Sequence, residues 1–334
     1  MDVNKIRVSI GSAVKLGLSS SIKIKDPPTT CYIMTYIKGR CAANCGFCPQ
    51  ARSSNSSLDK LSRVNWPIYP FIDFLTKLKY TTPSKRFKRI CVQTLNYPQN
   101  FKDLVEIVSE IKKETSIPIS IAIPPMVREK LRELKILGVQ RVGIALDAAT
   151  EKTFERVKGN SVNSTYNWGD HYDALIESTK ILSEDTISTH IIVGLGDTQK
   201  EIMELINQLK NYNITSALFA FMPIKGTKLE HLEQPKILDF RKCQLGRYLL
   251  VNNDKNLRDI TFNNKGEIIN FNINKNDLRY IIDESVAFMT TGCPDCNRPY
   301  YTSKPSGPIY NFPRKLNQKE KEQIYNQLKN FTNF

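Results

Sequence analysis

The stretch CAANCGFCPQAR, residues 41–52, sets three thiols, Cys41, Cys45 and Cys48, at CxxxCxxC spacing. Three thiolates so placed can hold three irons of a cubic [4Fe–4S] cluster and leave the fourth iron open to a small ligand. A structural zinc ion is normally closed by four protein ligands, so a zinc reading needs a fourth, and His171 and His190 are distant in sequence. Five more cysteines remain: Cys31, Cys91, Cys243 and a CPDC pair, Cys293 and Cys296. The amino terminus, MDVNKIRVSIGSAVKLGL, shows no signal-peptide core or cleavage site, and nowhere do 18 apolar residues run together. The expectation is a cytoplasmic protein without a membrane span, in which cysteines bind metal or react before they form disulfides.

Such thiols need a scaffold, and the chain offers a repeating one. Apolar runs of strand length lie at Cys31–Ile37, Arg89–Leu95, Ile117–Ile123, Arg141–Asp147, Ser188–Gly196 and Ser216–Pro223. Segments of helical period separate them: PIYPFIDFLTKLK, FKDLVEIVSEIKKE, MVREKLRELKILG, WGDHYDALIESTKILSE and KEIMELINQLKNY. Ile- and Val-rich runs with little polar alternation fit strands buried on both faces, as in a parallel sheet. The order predicts an α/β fold, a partial (β/α)6 barrel of TIM type. Active sites of such barrels sit at the carboxyl ends of the strands, and CxxxCxxC directly follows the first. Gly138 and Gly196 fall where a helix ends or a strand opens into a loop.

After Pro223 the alternation stops. A helix, ILDFRKCQLGRYLLVN, a hairpin turning near Asn264, Lys265 and Gly266, and a last helix, NQKEKEQIYNQLKNF, are expected. Between hairpin and last helix, TTGCPDCNRPYYTSKPSGPIYNFPR reads as a covering segment. The division is an N-terminal extension, 1–30; a barrel, 31–232; and a C-terminal cysteine-containing extension, 233–334. Net charge is +15, from 48 Lys and Arg against 33 Asp and Glu. No helix-turn-helix, zinc-finger or RNP pattern accompanies it, so nucleic acid is not expected as a partner.

With these motifs the chain resembles the radical S-adenosylmethionine superfamily, whose signature is CxxxCxxC after the first barrel strand with an aromatic residue before the third cysteine. Cys41, Cys45, Phe47 and Cys48 match. The resemblance implies a [4Fe–4S] cluster whose open iron chelates S-adenosylmethionine, and a 5′-deoxyadenosyl radical that takes hydrogen from an unactivated carbon. It implies that Gly194 and Gly196 of IIVGLGDT let backbone approach the adenosine, and that Met222 and Pro223 line the base. Core packing by Phe219, Phe221 and Met222 is the alternative. Asp147 ends the fourth strand, where the superfamily often puts a polar group near ribose or substrate, and is the catalytic candidate; the alternative is an N-cap on TEKTFERV.

CGFCPQAR, VGLGDT and KGTKLE are similar to the biotin synthase-related branch. There, carbon radicals are quenched by sulfur from a sacrificed auxiliary cluster. Cys91 matches a cluster ligand of biotin synthase, but SISIAIP and STHIIVG lack the cysteines expected in the third and fifth strands. The upstream cysteine set of ordinary lipoyl synthases is also missing. The C-terminal GCPDCNRPYY and GPIYN instead resemble the two-component lipoyl synthase of archaea and some bacteria. That resemblance implies sulfur insertion at C6 or C8 of an octanoyl group on a carrier protein, a lipoyl domain or the glycine cleavage H protein. It implies a second, auxiliary iron–sulfur cluster on Cys91, Cys293, Cys296 and a fourth ligand such as Ser303 or Ser306, a second synthase subunit, and an electron donor such as ferredoxin. A zinc knuckle on Cys293 and Cys296, with a radical enzyme that inserts no sulfur, is the rival. Cys31 and Cys243 read as buried small hydrophobes, and His171 and His190 as core or rim residues.

Overall fold

The computed structural model describes residues 2–183, 185–253 and 255–333. Its central sheet runs β10-β9-β8-β7-β6-β2-β1-β5. Six of these strands are parallel and consecutive: β2 (Thr30–Thr35), β6 (Arg89–Gln93), β7 (Ile119–Ala122), β8 (Arg141–Gly143), β9 (Ile187–Val193) and β10 (Thr215–Ala220). These are the six apolar runs, each shortened at its carboxyl end, with β2, β9 and β10 starting one residue earlier. All six residues of β2 are buried, as a strand covered on both faces must be. The crossovers carry α2 (Phe71–Lys79), α3 (Asn100–Glu114), α4 (Arg128–Ile136), α5 (Glu151–Val157), α6 (Trp168–Ile181) and α7 (Gln199–Lys210). The result has the order and connectivity of a partial (β/α)6 barrel.

The first thirty residues do more than precede it. β1 (Lys5–Val8) pairs antiparallel with β2 on one side and with β5 (Ile68–Pro70) on the other. Ser9 then caps α1 (Ile10–Leu16) and Gly17 ends it at φ 74°. A small ribbon, β3 (Lys60–Leu61) with β4 (Val64–Asn65), lies in the crossover after β2.

The C-terminal region adds α8 (Ile237–Asn252), the hairpin β11 (Thr261–Phe262) and β12 (Ile268–Asn270), α9 (Lys275–Glu284) and α10 (Gln318–Leu328). α8 is buried nearly all round, and its polar side chains tie the chain between α9 and α10 to the start of β10. Arg241 donates to the carbonyls of Ile309 and Tyr310, Gln244 to Tyr310 at 3.1 Å, and Arg247 to Ser216 at 2.6 Å. Residues 290–312 form a strap along the free edge of β10. There the Leu218 N–H donates to Thr291 Oγ1 at 3.0 Å and its carbonyl accepts from Asn311 Nδ2 at 2.8 Å. An open parallel sheet leaves such edge groups unpaired, and the strap satisfies them. Among the described residues, no helix is long and apolar enough to cross a membrane.

Candidate active site

A cavity of about 230 Å3 opens at the carboxyl ends of the six parallel strands. Its lining includes Cys41, Cys45 and Cys48 from the loop after β2, Asp147 from the end of β8, and Met222 from the end of β10. The cysteine loop is pinned by backbone. Ala42 N–H donates to Asn96 O at 2.7 Å, Gly46 N–H to Val157 O at 2.7 Å, and Leu229 N–H to Gly46 O at 2.9 Å. Asn44 Oδ1 takes the Ser53 N–H at 2.9 Å while its amide reaches the Val162 carbonyl. A Cβ on Gly46 would stand 3.1–3.3 Å from Leu229, Val162 and the Val157 carbonyl, so only glycine fits without displacement. Phe47 packs with Val157, Leu195 and Phe221 and faces the same cavity.

The donor chemistry fits a cluster. All eight cysteines are free. The Cys41 thiol accepts from Asn96 N–H at 3.1 Å, the contact that steadies a metal-bound thiolate. Burial raises the Cys41 and Cys45 thiols and pushes Cys48 up to about 12, so iron must displace protons as it loads. Among the described residues, no three His, Cys, Asp and Glu side chains close on one point that could hold a single metal ion. A cubane takes each thiolate to a different iron, and its ligands stand wider apart than those of one zinc ion.

Asp147 is not the helix cap. Thr150 caps α5, its Oγ1 accepting from Thr153 N–H. Asp147 instead sits at φ 66° with its backbone bridged to β9, where its N–H donates to His190 O and its carbonyl accepts from Ile192 N–H, both at 2.8 Å. Its carboxylate takes a hydrogen bond from Lys158 Nζ at 2.8 Å, in surroundings that leave the two side chains 10% and 5% exposed. Lys158 also bonds the Ala145 carbonyl and lies 5.5 Å from the ring centres of Phe154 and Tyr166. Sequence reasoning missed Lys158, and its one local signal is the Lys158–Gly159 break at the end of α5. His171 and His190 line the cavity, kept neutral by burial: His171 falls to about 2 and His190 to about 4.

Gly194, Gly196 and Pro223 do not line this cavity. Gly194 and Gly196 take φ 104° and 114°, and a Cβ on them would strike Pro235 and the Arg156 guanidinium. Their smallness therefore serves the turn and its protein neighbours. Asp197 and Thr198 close the turn: Asp197 accepts from Ala149 N–H and Thr150 Oγ1, and Thr198 forms a capping box with Glu201.

A second thiol set gathers nearby. Burial raises the Cys296 thiol and pushes Cys91 up to about 12, and Cys293, close to both, adds to the rise of each. The CPDC turn rests on the amino ends of β2 and β6. Arg89 Nε donates to Pro294 O at 3.2 Å, Lys88 Nζ to Asp295 at 2.8 Å, and Thr29 N–H to Asn297 at 3.0 Å. Tyr32 Oη lies 3.3 Å from Cys296 Sγ, and Gln93 Nε2 donates to Cys91 Sγ at 2.9 Å. Arg298 is stacked among Tyr32, Phe219 and Tyr301 beside these thiols. Of the fourth-ligand candidates, Ser303 is buried with its Oγ accepting from Tyr310 N–H at 2.9 Å, and Ser306 is exposed. Cys31 and Cys243 lie fully buried in the main core.

A β/α barrel carrying three cysteines after its first strand defines a class of radical enzyme scaffolds. The chain belongs to the radical SAM superfamily, whose sequence pattern matches residues 35–209, more than half of it. It is similar to biotin synthases: 26% identical over 204 residues to that of Methanococcus aeolicus, covering 60% of this chain and 58% of the relative, and 28% over 235 residues to that of Crocosphaera subtropica, covering 66% and 57%. This chain thus spans under two thirds of those relatives' lengths. In structure it is similar to methylornithine synthase, at TM-score 0.54 and 15% identity over 72% of this chain and 66% of that one. It is also similar to HydG, a maturase of the [FeFe]-hydrogenase, at TM-score 0.52 and 14% identity over 72% and 57%. At these identities the likeness is one of fold. The family implies a [4Fe–4S] cluster and S-adenosylmethionine, and Cys41, Cys45 and Cys48 are the residues that fit the cluster.

Proposed function

We propose that the chain is a sulfur-inserting enzyme of lipoyl synthase type, acting at C6 or C8 of an octanoyl group borne on a lysine of a carrier protein. The observation that supports this is the packing of Cys91 and Cys296 in one cluster, with Tyr32 Oη 3.3 Å from Cys296 Sγ, the Arg298 guanidinium over the Tyr32 ring, and Cys293 in the same CPDC turn. When bound, a [4Fe–4S] cluster with S-adenosylmethionine supplies a primary carbon radical that removes hydrogen from an unactivated carbon, and an auxiliary iron–sulfur cluster supplies the sulfur. The chain's residues do the positioning. Cys41, Cys45 and Cys48 would hold the first cluster, and Phe47 and Met222 would flank the nucleoside. Asp147, held by Lys158, offers a fixed carboxylate to ribose hydroxyls or substrate. Aliphatic and aromatic walls exclude water that would divert a reactive carbon. The Arg298 charge opposes the rise that burial gives the Cys91 and Cys296 thiols.

The carrier, a lipoyl domain or a glycine cleavage H protein, a second synthase subunit and a ferredoxin-like donor are the partners of this reading, in the cytoplasm. Biotin synthase chemistry is the second reading, favoured by the relatives. The strand position opposite Cys91 is Ser120, bonded to Arg89 at 3.0 Å, rather than a cysteine. Anaerobic purification with iron, sulfide and zinc counted per chain is the test, run beside Cys293→Ala with Cys296→Ala. About eight irons falling to about four, with an octanoyl-lysyl peptide gaining sulfur only in the parent, is expected. Four irons in both proteins, and zinc lost with the pair, would leave a radical enzyme without sulfur insertion.

A further inference from the structure

Tyr32 is fixed from two sides. In the register of β2 with β6 it stands directly across from Cys91. The start of α1 holds its backbone: Ser12 Oγ accepts its N–H at 2.9 Å, and Ser9 N–H donates to its carbonyl at 3.0 Å. The side chain is buried, in the cluster of Met34, Cys41 and Trp66 against which Cys91 and Cys296 pack. The Arg298 guanidinium lies 5.4 Å from the ring centre. At the tip of the ring, the phenol oxygen accepts the Arg298 N–H at 2.9 Å and lies 3.3 Å from Cys296 Sγ. A backbone N–H can only donate, so the hydroxyl hydrogen of Tyr32 stays available to the sulfur. A metal-bound thiolate carries no proton and can only accept, which fixes the direction of that bond. Arg298 itself takes φ 32°, a left-handed backbone that is costly for a residue with a side chain and persists only where neighbours hold it. The bond to Tyr32 is one such hold. Gln93 gives Cys91 a matching donor, its Nε2 reaching that sulfur at 2.9 Å.

We propose that Tyr32 is a positioning residue of the second thiol set: its hydroxyl, anchored on the Arg298 N–H, donates to the Cys296 thiolate and sets that sulfur of the strap against Cys91 on β6. The proposal rests on the auxiliary-cluster reading above. Cys296 and Arg298 are two residues apart, so one oxygen fixes both the ligand and the piece of chain that carries it. A hydrogen bond to a ligand sulfur draws charge from it, which steadies the metal site and raises the cluster's reduction potential.

The test uses the full chain with Cys41→Ala, Cys45→Ala and Cys48→Ala, loaded anaerobically with iron and sulfide, so that any cluster read is the second. In that background Tyr32→Phe keeps the ring and removes the hydroxyl. Its cluster is expected to take a more negative midpoint potential and to release iron to a chelator about tenfold faster. Gln93→Leu removes the donor to Cys91 and leaves Tyr32 in place; it should lower the potential too, which shows that the measurement responds to a lost hydrogen bond. Potential and release unchanged by Tyr32→Phe overturn the role of Tyr32 and leave the auxiliary cluster standing. A Tyr32→Phe chain that melts with its parent yet takes up no iron supports the role, whereas one that melts earlier and takes up none assigns the hydroxyl to folding and overturns it. No iron in the background chain itself overturns the auxiliary cluster, and the role of Tyr32 with it.

Discussion

Lys158 lies eleven residues beyond Asp147 and meets it inside the protein at 2.8 Å. Removing one member of a buried pair strands the other charge. Lys158→Met is therefore expected to lower stability by roughly 3–5 kcal/mol, and adding Asp147→Asn to recover most of that, as read by chemical unfolding under anaerobic conditions. Nothing local announces the pair: a lysine ending FERVK reads as a solvated helix end, and only the turn between β8 and α5 brings the two together. The histidines carry a pH dependence of defined sign. Burial, then the Lys158 charge, depresses His171 to about 2; burial, then the Arg298 charge, depresses His190 to about 4. Unfolded imidazoles titrate near ~6.5, so as pH falls the unfolded chain binds protons first. The stability from neutral burial is complete above that point and is lost as pH drops from about 6.5, toward 4 for His190 and on toward 2 for His171. Melting temperature should fall over that window, and His171→Phe, placed between the rings of Phe154 and Tyr166, should flatten the fall.

The six parallel strands were legible because Ile- and Val-rich runs separated by helical periods have few other folded solutions. β1 was not, since KIRV is short and its partner strands are β2 and β5, the latter more than sixty residues on. The place of the CPDC turn at the amino ends of β2 and β6 was likewise hidden, because sequence spacing carries no record of a long-range closure. Of the site, the three cysteines and Phe47 were readable from spacing, whereas the tight contacts of Gly194 with Pro235 and of Gly196 with Arg156 were not. Two expectations belong to elements. Gly46→Ala forces a Cβ against Leu229, Val162 and the Val157 carbonyl, so it should lower iron content per chain, read from the cluster's visible absorption, without touching a cysteine. Thr291→Val with Asn311→Leu removes both partners of Leu218 on the β10 edge. The cost should be about 1–3 kcal/mol, with faster amide exchange at Leu218 than in neighbouring β9.

At the scale of the whole molecule, an acidic carrier would complement the +15 charge in the proposed reaction. Association with the octanoylated carrier should slow as salt rises. Carrier association that ignores salt would contradict it. The strap along β10 has a further consequence, in time rather than space. Strands β2 to β10 and the CxxxCxxC loop are complete once the chain has been made through Pro223, and domains fold from the amino end during synthesis. Cys293 and Cys296 follow Pro223 by about seventy residues. The first thiol set is thus made and framed by its barrel before the second is, so the order in which the two sets can form is written into where the cysteines fall.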